Sequence, residues 1–182
     1  MLFRSSLPDS GFLFVGTSNS YSTQLDYDGF IIRLNQNGDT VWQRSIGSPD
    51  WDFLHHASAW PGSRFVLAGS KHSGINGLDA GWLVILDEQG NVLREKEFLQ
   101  VNNLVIRRTT LTPAGHLLAA GYTETPDSLF REPILMQIDT ATLDTIWTRR
   151  LPGVWKGELT GDRKSTRLNS SHSSVSRMPS SA

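Results

Sequence analysis

Three repeats of about fifty residues constrain the fold of this chain more than any other feature of its sequence. Pro8, Pro61 and Pro113, which lie 53 and 52 residues apart, each precede a short apolar run that ends in glycine. A second apolar run (GFIIRLN, GWLVILD, PILMQID) and a third, more polar run (TVWQRSI, NVLREKEF, TIWTRRL) follow in the same order. A period of this length, built from short apolar segments and turn residues, is typical of stacked or radial β architectures.

Each repeat divides into four short strands, named here a to d in chain order. Strand a is followed by a tight turn that contains proline and glycine (PDSG, PGS, PAG). Strands b and c are almost wholly apolar, which is expected of strands that are buried on both faces. Each strand b is expected to end at its glycine, where a side chain would meet the neighbouring blade or force a strained backbone; these glycines are Gly16, Gly69 and Gly121. Strand d carries charged residues, which suit an exposed outer edge. Trp42, Arg94 and Trp147 hold matching positions on strand d, where packing between neighbouring sheets is the predicted role.

A sheet whose two middle strands are apolar on both faces must lie between neighbouring sheets, as a propeller blade does. The predicted fold is therefore all-β, an incomplete β-propeller of about three four-stranded antiparallel blades. A solenoid or another repeat sheet is the alternative. We place the partial propeller at residues 1–161, with blades at about 1–47, 53–98 and 105–151 and the start of a further blade at 154–160. Because propellers usually close with roughly four to eight blades, we interpret the chain as a fragment of a longer protein.

Residues 162–182 are interpreted as an artefactual, disordered tail. DRKSTRLNSSH at 162–172 resembles the translation, in one frame, of a common short-read sequencing adapter, and SRMPSSA at 176–182 resembles the continuation of that adapter. A natural serine-rich tail is the alternative. We exclude this segment from fold and function reasoning. Without it, the formal charge changes from 17 basic and 18 acidic residues to 13 and 17, a net of −4.

Composition and motifs exclude several classes of function. A mildly acidic body with scattered charges offers no electrostatic footprint for nucleic acid. The chain has no cysteine, and no apolar stretch approaches the roughly 20 residues that span a membrane. Phosphate-binding loops, paired metal-ligating histidines and a nucleophile elbow are not found, so we predict no catalytic residue, no cofactor and no enzyme activity.

Two groups of polar residues are candidate metal ligands. His55 and His56 adjoin on a strand and are expected to point to opposite faces, so ordinary strand residues are the favoured interpretation. Asp26, Asp28 and Asp79 lie in corresponding loops and could offer oxygen ligands to calcium. Loop capping and turn formation explain these carboxylates more simply, and no metal site is predicted.

The stretch DGFIIRLNQNGDTVWQRSIGSPDWD, followed by a strand and SRFVLAGS, resembles the propeller repeats of large secreted or surface proteins of the Bacteroidetes group. The resemblance covers residues 1–161 and implies a secreted or cell-surface location, with export by the type IX route. DTATLDTIW at 139–147 is instead similar to the turn and tryptophan of quinoprotein blades. The missing blades of the parent chain are implied partners.

The loops between strands b and c are long and differ in sequence, which is typical of binding loops on a rigid scaffold. The side chains predicted to anchor a ligand on that rim are Tyr21, Trp51, His72, Phe130 and Arg131. We therefore predict a non-enzymatic scaffold that binds an unknown protein or glycan. The alternative is a blade segment of a quinoprotein-like oxidoreductase whose active site lies on missing parts.

Overall fold

The computed structural model describes residues 3–6, 10–20, 26–73, 77–125 and 130–151. Twelve strands form three sheets, and the described residues contain no helix. The first sheet comprises β1 (Phe3–Ser6), β2 (Phe12–Ser18), β3 (Asp28–Leu34) and β4 (Thr40–Ile46). The second comprises β5 (Asp52–Trp60), β6 (Arg64–Ser73), β7 (Leu78–Leu86) and β8 (Val92–Phe98). The third comprises β9 (Asn103–Leu111), β10 (Leu117–Glu124), β11 (Arg131–Ile138) and β12 (Thr145–Arg150).

Each sheet is antiparallel, and its four strands lie side by side in chain order. The three sheets, called blades 1 to 3 below, therefore have the same a-b-c-d topology. This arrangement confirms the predicted all-β, propeller-like fold of about three four-stranded blades. Blade 1 contacts blade 2 chiefly through β2 and β5, and blade 2 contacts blade 3 chiefly through β7 and β9.

The hydrophobic core consists of two layers, one between each pair of neighbouring blades. Between blades 1 and 2, side chains of β2 and β3 interlock with those of β5, β6 and β7 around the fully buried Trp82. Between blades 2 and 3, the other faces of β6 and β7 pack against β9, β10 and β11. The central blade is thus apolar on both faces, as the continuous apolar runs in β6 and β7 predict.

The glycines of strand b hold equivalent positions in the three blades. Their position along the strand, and the neighbouring atoms that require a glycine, differ from our expectation. Gly16, Gly69 and Gly121 pair with Phe30, Trp82 and Ile134 of strand c in the three blades. They were expected at the end of strand b and against the next blade; they lie inside the strand instead.

The neighbour that requires glycine in blades 2 and 3 is strand a of the same blade. A Cβ atom on Gly69 would overlap the carbonyl oxygen of Phe53, and one on Gly121 would overlap that of Val105. At both places strand a contains one residue more than strand b, because the register shifts by one next to the glycine. The glycine therefore makes room for a β-bulge.

The predicted match on strand d is confirmed by the register. Trp42 pairs with Arg33, Arg94 with Ile85 and Trp147 with Gln137. In each blade the strand shifts register directly beside this position.

Several predictions concern residues that lie outside the described ranges. These are the start of a further blade at 154–160, the tail at 162–182 and the rim residue Tyr21. Within the described ranges no helix is long and apolar enough to cross a membrane.

Candidate functional site

The b-to-c loops and the d-to-a links meet on one rim of the blades. The backbone N–H of Asp52 donates to the carbonyl of Tyr27 at 2.6 Å, and that of His72 donates to the carbonyl of Trp51 at 3.2 Å. Between blades 2 and 3, the N–H of Asp79 donates to Asn103 Oδ1 at 2.9 Å. The opposite rim holds the tight c-to-d turns, which accept hydrogen bonds from side chains on strand d of the preceding blade.

Four of the five predicted rim residues are described, and the structure places them in two groups. Trp51 is 59% exposed, and its backbone bonds to that of His72, whose ring contacts Asp79 Oδ1 at 3.1 Å. Phe130 is 44% exposed and precedes Arg131 at the start of β11 in blade 3. The two groups belong to different blades, and among the described residues they are joined through side chains that the sequence did not single out for binding.

Aromatic rings form the first part of this connection. Tyr27 meets Trp51 edge to face, with ring centroids 5.7 Å apart, and stacks on Phe53 at 6.3 Å. Phe53 in turn stacks on the ring of His55 at 6.4 Å, with an angle of 3° between the ring planes. Such rings provide large, rigid apolar faces at low conformational cost.

Cationic groups form the second part. Arg107 Nη1 lies 3.1 Å from His55 Nδ1, and its guanidinium lies 5.5 Å from the ring centroid of Tyr122. The guanidinium of Arg131 covers the same ring at 4.1 Å and donates to both carboxylate oxygens of Glu124, at 3.1 and 3.0 Å. We call the connected set the rim ridge. Its members are Trp51, Tyr27, Phe53, His55, Arg107, Tyr122 and Arg131.

Two β-bulges bring the middle of the rim ridge together. In β5, Leu54 pairs with Gly69 and His56 pairs with Ala68, so His55 is the extra residue. In β9, Arg107 is the extra residue between Ile106 and Arg108. The regular alternation predicted for His55 and His56 is therefore wrong at this point of the strand. Both rings bond to β9: His55 to Arg107, and His56 Nδ1 to the N–H of Thr109 at 3.3 Å.

The contact between His55 and Arg107 fixes the protonation of the histidine. A guanidinium has donors only, so Arg107 must donate and His55 Nδ1 must accept, which places the histidine proton on Nε2. Burial, and then the positive charge of Arg107, lower the pKa of His55 to about 4. The ring is thus neutral at pH 7.

The low pKa of His55 predicts a loss of stability on mild acidification. An unfolded histidine titrates near pH 6.5, so between about pH 6.5 and pH 4 the unfolded chain binds a proton that the folded chain does not. This difference should lower the free energy of unfolding by about 2 kcal/mol between pH 7 and pH 5. Urea denaturation of the wild type and of His55→Gln at both pH values measures it.

The His55→Gln variant should lose that part of the pH dependence, because its side chain does not titrate. Burial raises the pKa values of Asp28 and Asp52, whose protonation favours the folded state. The two aspartates therefore stabilise the folded state as the pH falls, which is opposite to the effect of His55. Because their effect grows at lower pH, the comparison stops at pH 5. Equal slopes for the variant and the wild type would contradict the assignment of His55.

Asp52 holds the loop that carries Trp51. Its carboxylate is fully buried; Oδ2 accepts from the N–H of Ser48, and Oδ1 accepts from the N–H of His72 at 3.0 Å. Both donors belong to the rim, one to the d-to-a link and one to the end of β6. Trp51 is therefore exposed on a firmly held backbone.

The three candidate calcium-binding carboxylates do not gather into a metal site among the described residues. Asp28 accepts from the hydroxyl of Ser45 at 3.3 Å. The carboxylate of Asp79 contacts His72, and its backbone N–H donates to Asn103 Oδ1. Asp26 is 7% exposed and lies near Asp28.

The sequence missed Tyr27, Phe53, His55, Arg107 and Tyr122 as parts of the site, because none stands in a recognisable motif. One signal was present: Tyr27, Trp51 and Phe53 are aromatic residues at the ends of strands that meet on one rim. No family model matches this sequence, and no curated protein matches it significantly.

Proposed function

We propose that this chain is a non-enzymatic propeller scaffold whose rim ridge binds a protein or glycan ligand. We further propose that it belongs to a larger secreted or cell-surface protein. The observation that carries the binding proposal is the continuous row of aromatic and cationic side chains across three blades. Tryptophan, tyrosine and arginine are the residues that most often dominate binding energy at protein surfaces.

The accessible end of the rim ridge supports this role. Trp51 is 59% exposed and Tyr27 is 38% exposed, and the two rings stand at 82° to each other. Together they form an apolar corner that can receive a sugar ring or an apolar side chain. Asp79 and His72 lie next to it and offer hydrogen-bonding groups at its edge.

Rigidity is the second support. Asp52 fixes the backbone that follows Trp51. The ring of Tyr27 stacks on Phe53, which in turn stacks on His55. Binding to such a surface immobilises few rotatable bonds, so little affinity is lost to ordering.

Trp51→Ala should weaken ligand binding roughly tenfold or more, as truncation of an aromatic anchor does. Candidate ligands come from a glycan array and an array of extracellular proteins probed with the 182-residue chain, and affinities follow by titration calorimetry. Leu111→Ala is the control, because Leu111 is 39% exposed on the opposite rim. Failure of every probe to bind, or equal affinity of Trp51→Ala and wild type, would contradict the proposal.

A further inference from the structure

Each blade junction joins two different faces of the sheet. Blade 1 presents Leu13, Val15 and Ile31 toward blade 2, and blade 2 presents the same register positions toward blade 3, occupied by Val66, Ala68 and Leu83. We call this the forward face. The opposite, backward face of blade 2 packs on blade 1 with Leu67, Val84 and Leu86, among others. Neighbouring blades thus always meet forward face to backward face.

The described structure ends in one open face of each kind. The backward-face residues Phe14, Ile32 and Leu34 of blade 1 are only partly buried, whereas their counterparts Leu67, Val84 and Leu86 in blade 2 are fully buried. The forward-face residues Leu118, Ala120 and Leu135 of blade 3 are likewise only partly buried. A contiguous apolar face of this kind marks a contact surface.

Hydrogen bonds between neighbouring blades accompany each existing junction on the rim that carries the c-to-d turns. From blade 1, Trp42 Nε1 donates to the carbonyl of Glu88 at 2.9 Å and Arg44 Nη2 to that of Gln89 at 3.3 Å. From blade 2, Arg94 Nη1 donates to the carbonyl of Ala141 at 2.5 Å. Two positions on strand d therefore hold the c-to-d turn of the following blade.

The second position also makes an ion pair where the following turn ends in aspartate. Lys96, the counterpart of Arg44, bonds to Asp144 at 2.9 Å. In blade 3 the two positions are occupied by Trp147 and Arg149. Trp147 is 36% exposed, and its indole N–H bonds to Gln137 of its own blade.

The c-to-d turn of blade 1 has the same backbone shape as the turn of blade 2 that accepts these hydrogen bonds. Asn35–Asp39 and Asp87–Asn91 close with the same backbone bond, at 3.0 Å in both, and have Gly38 and Gly90 at φ 89° and 83°. A Cβ atom on Gly90 would lie 3.0 Å from the ring of Trp42. No described residue comes within 4 Å of the corresponding Cβ position on Gly38. Asp39 ends this turn as Asp144 ends the turn of blade 3.

We propose that two copies of this chain associate head to tail, with the forward face of blade 3 in each copy against the backward face of blade 1 in the other. Trp147 of one copy then lies on the turn at Gly38 of the other, and Arg149 pairs with Asp39. Two such contacts close a ring of six blades, within the range of roughly four to eight that propellers use.

A second copy is the occupant because it supplies a complete backward face together with an acidic turn. In a longer parent protein the same faces would accept adjoining blades. The 182-residue chain by itself offers them to another copy.

Sedimentation equilibrium of the 182-residue chain tests the proposal, and the expected mass is twice 20.2 kDa. Arg149→Asp places like charges together at both contacts and should weaken the dimer at least tenfold. Adding Asp39→Lys to that variant should restore the dimer. Arg150→Asp is the matched control, because Arg150 faces blade 2 and bonds to Gln100 at 2.9 Å; it should remain dimeric.

Far-UV circular dichroism of each variant establishes that the blades are folded before the masses are compared. A wild type with the mass of one chain would overturn the proposal, and so would a series of larger oligomers in place of the dimer. Equal dimer affinity of Arg149→Asp and Arg150→Asp would overturn the predicted contact, since only the first variant changes it.

Discussion

Replacing Gly69 with alanine should lower the free energy of unfolding by about 3 kcal/mol or more. The added methyl group would overlap the carbonyl oxygen of Phe53 and lie 2.9 Å from the carbonyl carbon. These are backbone atoms of the adjacent strand, so no side chain can rotate away. The strand must move, and with it the bulge at His55 that supports the rim ridge.

Gly115→Ala is the matched control for this substitution. Gly115 has φ 82°, which alanine adopts at a cost of about 1 kcal/mol, but no described residue lies within 4 Å of its Cβ position. Gly69 is not among the glycines with positive φ, so a larger loss for Gly69→Ala than for Gly115→Ala in urea denaturation must come from the overlap with strand a. If Gly69→Ala costs no more than Gly115→Ala, the contact between Gly69 and Phe53 is not the reason for the glycine.

Gly121→Ala extends the same comparison to blade 3. Its methyl group would overlap the carbonyl oxygen of Val105 beside the bulge at Arg107. A similar loss of stability in Gly121→Ala would show that glycine is required beside the bulge of strand a in both blades, and not because of one contact in blade 2. The repeated glycine in the sequence would then report a repeated irregularity of strand a.

The sequence predicted the regular part of this fold because regular strands leave a pattern. Apolar runs in β6 and β7 match burial on both faces, and the Asn-Gly and Gln-Gly turns mark the c-to-d connections. Equivalent positions on strand d followed from the period alone, which placed Trp42, Arg94 and Trp147 correctly.

The bulges could not be predicted, because the extra residue has no signature of its own. His55 and Arg107 stand in stretches that read as ordinary strands, and only the glycine on the neighbouring strand differs. Strand b was therefore predicted to end at its glycine, although β6 continues to Ser73.

The candidate site was predicted only in part, again because register shifts leave no pattern in the sequence. A rim was inferred from loop lengths, and Trp51 and Arg131 were named as exposed anchors. Their connection depends on Phe53, His55 and Tyr122, whose rings lie on strands and resemble core residues in the sequence. Which rings meet across blades depends on register shifts that no local pattern records.

Asp52→Ala is expected to lower the free energy of unfolding by about 2 kcal/mol, because the N–H of Ser48 loses its acceptor and the N–H of His72 keeps only its bond to the carbonyl of Trp51. The affected donors are those of Ser48 and His72, and Asp52 itself is fully buried. Asp50→Ala in the same loop is the control: Asp50 is exposed, and its loss should change stability by less than about 0.5 kcal/mol.

Asp52→Asn separates the role of the charge from that of the hydrogen bonds. Asparagine keeps one acceptor oxygen, and it removes the burial cost that raises the pKa of this carboxyl. We expect a loss smaller than that of Asp52→Ala by at least about 1 kcal/mol in chemical denaturation. Equal losses would mean that neither N–H depends on the retained oxygen. The N–H of His72 is shared between Asp52 and the carbonyl of Trp51. Removing the Asp52 acceptor should therefore also loosen Trp51, and ligand affinity should fall with stability across the two variants.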